Sequence, residues 1–265
     1  MGQHDHDKER NHSILIINPN STAAMTDALR PLIDRRNFSN TTYTYFTAPT
    51  GPPSINNDAD AAASTSHCLP HLLPLLPSHD AFLVCCYSAH PLVAALKSHP
   101  EIVSAGKLVT GIFEASVAAS LQLIAPRERF GIVSTGKVWE GLLTAAVTAY
   151  LGGGVGETEG EGEGLGPRFA GVQTTGLDAT ELHEAPAEEV RERMKVAVSR
   201  LLRTRPGEGA VGAICLGCAG MAGMDEVVRE ACVEELGLER GQRVRIVDGV
   251  VAGVVWLEGA LRAGF

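Results

Sequence analysis

Long apolar runs are missing from this chain, and none approaches the ~18 residues a membrane-spanning helix needs. Cations are scarce too. Lys and Arg total 22 against 31 Asp and Glu, a net charge of −9, and no basic cluster is present to track a phosphate backbone. Neither a membrane nor nucleic acid is therefore an expected partner. Paired metal ligands are also lacking: structural zinc sites usually show two close pairs, whereas HCLPH (His67, Cys68, His71) stands alone on a proline-interrupted segment, and no metal is expected. The phosphate-loop motif fails as well. In GIVSTGKV, from Gly131, Val138 replaces the hydroxyl residue and the first glycine precedes the strand. The polar amino terminus, MGQHDHDKERNHS, holds no signal-peptide apolar region, so residues 1–12 are expected to form a flexible tail. With no export signal expected, the six cysteines (68, 85, 86, 215, 218 and 232) read as reduced thiols, and a cytoplasmic location is the expectation.

What is present is a repeated alternation. SILIINPNSTAAMTDALRPLIDRR reads as a buried strand, a turn and a helix with Ser21 or Thr22 at its N-cap. The same pattern recurs at DAFLVCCYSAHPLVAALKSH, GKLVTGIFEASVAASLQLI, RFGIVSTGKVWEGLLTAAVTAYL, GAVGAICLGCAGMAGMDEVVREACVEEL and VRIVDGVVAGVVWLEGALR. Short apolar strands alternating with helices define an α/β protein whose mostly parallel sheets are covered on both faces. At 265 residues the chain can fill one large or two small α/β domains. GGGVGETEGEGEGLG, Gly152 to Gly166, breaks the rhythm: glycine and like charge leave it nothing to pack, so it reads as a mobile surface loop.

Two cysteines occupy equivalent places. Cys86 and Cys218 each follow an apolar strand, precede a turn of small residues and feed a helix. Thiols so placed can face one another across a cleft and move a proton between the two faces of a carbon acid. Their unperturbed pKa of ~8.5 suits both giving and taking a proton. Side chains alternate along a strand, so Cys85 is expected in the core and Cys86 in the turn. Cys215 falls inside its strand, which argues against reading CLGC as a redox pair. Ser134 and Thr135, in a turn opening a helix, can hold a carbonyl or carboxylate oxygen. Asn18 reads either as a donor to a ring carbonyl or as a turn former, and Glu114 either as a partner for a ring N–H or as a helix cap. His90 reads as a helix-start residue and Asp248 as a chain-turning one.

Five motifs in order, INPNST with MT, CYSAHPL, GIFEAS, ICLGCAGM and VDGV, resemble the Asp/Glu/hydantoin racemase superfamily, in its hydantoin and allantoin branch. The resemblance spans nearly the whole chain. It implies two Rossmann-like lobes related by a pseudo-twofold, with the active site in the cleft between them. It places residues 13–110 plus 223–265 in lobe 1 and 111–222 in lobe 2. It also implies a cofactor-independent racemase with Cys86 and Cys218 as acid and base. Ser88, Ala219 and Gly220 join Asn18, Glu114, Ser134 and Thr135 as expected substrate contacts. Where amino-acid racemases of the superfamily carry Thr and a polar residue after the second cysteine, this chain has Ala219 and Gly220. Exposed amides there suit a ring carbonyl or its enolate. CYSAH is also similar to the C-N-T-A-H turn of some amino-acid racemases, so an amino-acid substrate stays open, as does a non-catalytic binding relative. A small-molecule substrate and a homo-oligomer are the expected partners.

Overall fold

The computed structural model describes residues 11–152, 168–203, 208–221 and 223–265. The expected tail and Gly/Glu loop thus fall outside the described residues, apart from residues 11, 12 and 152, and His12 already opens the first strand.

The first sheet uses β1 (His12–Asn18), β2 (Thr41–Thr47), β3 (Ala81–Val84) and β4 (Leu108–Gly111). Between them run α1 (Ala23–Asp34), α2 (Asp58–Leu72), α3 (Pro91–Lys97) and α4 (Pro100–Ser104). From β4 the chain enters α5 (Ile112–Leu123) and then a second sheet of β5 (Arg129–Ser134), β6 (Phe169–Thr174), β7 (Val211–Leu216) and β8 (Arg245–Asp248). Its helices are α6 (Val138–Tyr150), α7 (Glu181–Glu184), α8 (Ala187–Leu202), α9 (Asp225–Leu236) and α10 (Leu238–Arg243), and α11 (Gly249–Ala263) follows β8. All strand pairs are parallel, in the orders β2-β1-β3-β4 and β6-β5-β7-β8. The second order repeats the first, as two similar lobes require.

The alternation of side chains along each strand splits the core. Ile14 and Ile16 of β1, with Ala81 and Leu83 of β3, face an inner cluster that also holds Phe130, Ile132, Ala213, Cys215 and Val247 of the second sheet. Leu15, Ile17, Phe82 and Val84 face an outer cluster under α2 and α3. Each buried Leu or Ile contributes about 1.5–3 kcal/mol relative to exposure, so the shared inner cluster joins the two sheets firmly.

The lobe boundary differs from the expected one. Val247 of β8 pairs with Cys215 of β7, and α9 packs on α8, so residues 225–248 follow the second sheet. The return to the first sheet comes at Gly249 instead of residue 223, through α11, which packs on β3 and β4. After Gly111, α5 leaves β4 and packs on β7 and β8. The helix after each fourth strand therefore crosses to the other lobe. Their first turns abut: a Cβ on Gly249 would stand 2.8 Å from the Ile112 carbonyl oxygen, so only glycine fits there.

Candidate active site

In an order such as 2-1-3-4 the crevice opens between strands 1 and 3, where successive connections leave in opposite directions. Both sheets place a cysteine there. Cys86 lies two residues past the end of β3, and Cys218 two residues past the end of β7.

The Cys86 turn is held from both sides. The Cys85 N–H donates to the Ile17 carbonyl at 2.8 Å, and Cys85 itself packs in the inner core with Ala81 and Leu83. Beyond Cys86, the Ser88 N–H donates to the Cys86 carbonyl (3.1 Å) and the His90 N–H to the Ser88 carbonyl (2.8 Å), which brings the chain round to Pro91 at the start of α3. His90 caps that helix, its Nδ1 accepting from the Leu92 N–H at 3.2 Å; burial pushes the imidazole down to about 4, so it stays neutral.

Glycine makes the Cys218 turn possible. A Cβ on Gly217 would meet Ile132 Cγ2 at 2.7 Å and the Val133 oxygen at 2.8 Å. Free of that clash, Gly217 donates its N–H to the Val133 carbonyl (2.7 Å) and accepts from Ser134 Oγ (2.7 Å). Ala219–Met221 then forms a 3₁₀ turn, in which the Gly220 N–H points at Cys218 Sγ from 3.3 Å.

The two turns line one cleft with Asn20, Met25, Ser54, Ile55, Tyr87, Thr135 and Trp139. Cys86 and Cys218 are the two partly exposed cysteines, whereas Cys68, Cys85, Cys215 and Cys232 are buried. Burial pushes the Cys86 thiol up to about 12, with neighbouring Cys218 and Glu114 adding to the rise; it pushes Cys218 up to about 11, held back by the Gly220 and Met221 amides. None of the described lining residues is Lys, Arg, His, Asp or Glu. The cleft measures ≈ 40 Å³. That is room for a few waters and far below the ~300 Å³ of a typical small-molecule site, so a ring enters only if the loops part.

The other expected contacts fall into two groups. Thr135, Ala219 and Gly220 line the cleft, and Ser88 holds its hydroxyl 3.6 Å from Cys86 Sγ. Asn18, Ser134 and Glu114 do not line it. The Asn18 amide is spent on Asn20 Oδ1 (3.0 Å), the Thr22 carbonyl (3.1 Å) and Thr26 Oγ1 (3.0 Å), which makes it a turn former. Ser134 serves the Gly217 carbonyl, and Glu114 turns back against Gly111 at the start of α5 with its Oε2 buried and unpartnered; burial raises its pKa while the nearby backbone amides restrain the rise. Asp248 caps α11 through the Val250 and Val251 amides. Sequence reasoning missed Asn20, whose amide nitrogen meets the Met25 thioether at 3.1 Å, a weak acceptor that leaves the group available at the cleft wall. It also missed Trp139, Met25 and Ile55. Among the described residues no group of three His, Cys, Asp or Glu side chains is disposed to hold a metal ion, and no helix is long and apolar enough to cross a membrane.

A repeated α/β lobe with one thiol at each switch point describes a two-lobed isomerase scaffold, and comparison with known proteins agrees. The chain belongs to the Asp/Glu/hydantoin racemase family, whose model matches residues 14–257. It is 34% identical to an uncharacterised protein of Schizosaccharomyces pombe over 94% of this chain and 92% of that one. It is also 29% identical to a hydantoin racemase of Pseudomonas sp. (strain NS671), covering 92% of this chain and 84% of the relative. In fold it is similar to the crystal structure of allantoin racemase from Pseudomonas fluorescens, with a TM-score of 0.74 at 23% identity over 96% of this chain and 92% of that one.

Proposed function

We propose that this protein racemises 5-substituted hydantoins, allantoin first among them, by 1,1-proton transfer between Cys86 and Cys218 with no cofactor. The observation that carries the reading is the pair of partly exposed thiols in a cleft with no charged side chain among its described lining residues. The Pseudomonas relative, a hydantoin racemase, supports the substrate class.

In one direction the Cys218 thiolate takes the C5 proton, the electron pair moves into the adjacent carbonyl as an enolate, and the Cys86 S–H delivers its proton to the opposite face. The enzyme is left with Cys218 protonated and Cys86 ionised; the other enantiomer returns it to the starting form. Gly220 was expected to steady the enolate, but its N–H is engaged with Cys218 Sγ, where it favours the thiolate. The Asn20 amide is the better-placed donor to a ring carbonyl. A zwitterionic amino acid would bring an ammonium and a carboxylate into a cleft whose described lining residues offer neither a countercharge, so the amino-acid reading is disfavoured.

The test is incubation of each allantoin or alkylhydantoin enantiomer in D₂O with a chelator present. Inversion accompanied by deuterium at C5 is expected. Exchange of aspartate or glutamate without hydantoin exchange would overturn the substrate class, and a chelator-sensitive reaction would overturn the cofactor-free mechanism.

A further inference from the structure

Tyr87, directly after Cys86, is buried where the two lobes meet, with its side of the turn on the cleft. Its hydroxyl stands 2.7 Å from Ser116 Oγ on α5. Ser116 gives its own proton to the Phe113 carbonyl at 2.9 Å, so it accepts from Tyr87. The same helix holds on to Cys215, whose Sγ donates to the Ser116 carbonyl at 3.8 Å and lies 3.0 Å from Ser120 Oγ. The ring meets Phe113 edge to face, with centroids 5.8 Å apart. Ser116, Ser120 and Cys215 are all fully buried.

The topology gives this cluster its meaning. Tyr87 belongs to the turn that carries Cys86, while Cys215 lies on β7, three residues before Cys218. α5, which supplies both serines, starts from β4 of the first sheet and packs on β7 of the second. One hydroxyl thus ties the first thiol's turn to α5, and through Ser116 and Ser120 α5 holds the second thiol's strand. We infer that the Tyr87 hydroxyl is a positioning group that fixes the separation of Cys86 and Cys218 across the cleft. This rests on the two-thiol reading above. Inversion needs both sulfurs in place on opposite faces of one carbon, and a misplacement of about 1 Å can cost ~10²-fold in rate. Exchange with retention needs only one.

Tyr87→Phe keeps the ring and its Phe113 contact and removes the brace. Inversion of a hydantoin enantiomer in D₂O should fall about 10- to 100-fold. Deuterium exchange with retention should fall less, so the ratio of exchange to inversion rises. A purely structural defect would lower both equally, through the fraction of folded enzyme. Ser116→Ala should move the ratio in the same direction. A second readout needs no turnover: dibromobimane should cross-link Cys86 to Cys218 in the wild type, as mapped by peptide mass spectrometry. In Tyr87→Phe that yield should drop while single alkylation of each thiol by iodoacetamide holds. An unchanged cross-link yield in Tyr87→Phe overturns the inference, as does the absence of the cross-link from the wild type. If the wild type cross-links but turns over no hydantoin, the proposed function fails and the cross-link yields still judge the brace.

Discussion

The Cys86 and Cys218 turns occupy the same place in a repeated topology and differ in what surrounds the sulfur. Cys218 accepts the Gly220 N–H at 3.3 Å, and the amides of its 3₁₀ turn restrain the rise in its pKa. Cys86 has a hydroxyl at 3.6 Å and the Glu114 carboxylate in its neighbourhood, which opposes ionisation. The residues just before them differ as well: Cys85 sends a side chain into the inner core, whereas Gly217 has no room for one. The repeated topology therefore holds two thiols without making them equivalent. On the proposed mechanism this makes Cys218 the resting base and Cys86 the resting acid.

The largest effect should come from removing either thiol. Cys86→Ser or Cys218→Ser replaces a group that ionises with one that does not near neutral pH, so racemisation should fall by about 10³-fold or more, in line with the upper range for acid–base catalysis. Polarimetry checks it. Cys85→Ala should lower the melting temperature, because Cys85 packs in the core, and leave turnover near that of the wild type. A Cys218→Ser enzyme that still inverts its substrate would end the comparison between the turns.

Next in size is the residue before each thiol. In Gly217→Ala the new methyl group meets Ile132 and backbone within 2.8 Å, so the turn must shift. Overpacking of this kind costs about 1–3 kcal/mol of stability. Displacing Cys218 should also lower kcat by about 10- to 100-fold. Thermal melts and initial rates together check both. If Gly217→Ala and Cys85→Ala prove equally mild, the two turns are built alike after all.

Much of this was legible in the sequence because strands and small-residue turns are local. The βα rhythm, the parity that buries Cys85 and the equivalent offsets of Cys86 and Cys218 all follow from spacing along the chain. Partnership was harder to read. β8 reads as a strand, but only its pairing with β7 shows that it belongs to the second sheet. In NPNS both asparagines suit a turn, and which one is consumed by it depends on Thr26 eight residues along. Trp139 and Ile55 look like core positions because they are largely buried; that their walls also face a cleft depends on loops brought together from two lobes.

A smaller effect separates the thiols in the free enzyme. Burial raises the pKa of the Cys86 thiol further than that of the Cys218 thiol, so the thiolate population below both values favours Cys218, and its lower basicity gives back only part of that advantage. Iodoacetamide should therefore label Cys218 faster than Cys86. Because both values are raised, both labelling rates should climb about tenfold per pH unit from 7 to 9, and kcat/KM should rise with them. Peptide mapping over that range reads both slopes; faster labelling of Cys86 would reverse the assignment of resting base and acid.

The smallest effect belongs to Ser88, and thermodynamics shapes how it must appear. A hydroxyl 3.6 Å from sulfur sits at the weak end of hydrogen bonding, so its loss in Ser88→Ala costs about 0.5 kcal/mol, or roughly twofold. That hydroxyl favours the ionised form of Cys86, and removing it makes the thiolate harder to form. Enantiomers have equal free energies, so the equilibrium constant is unity and kcat/KM must fall by the same factor in both directions. The loss can still divide unequally. For the enantiomer that must meet ionised Cys86, fewer enzyme molecules are competent and KM should rise with kcat nearly unchanged. In the other direction Cys86 gives up its proton in the reaction itself, so kcat should fall with KM nearly unchanged. Progress curves from each pure enantiomer separate the two. An equal fall in kcat from both sides would mean that Ser88 acts on the turn as a whole and leaves the sulfur's ionisation alone.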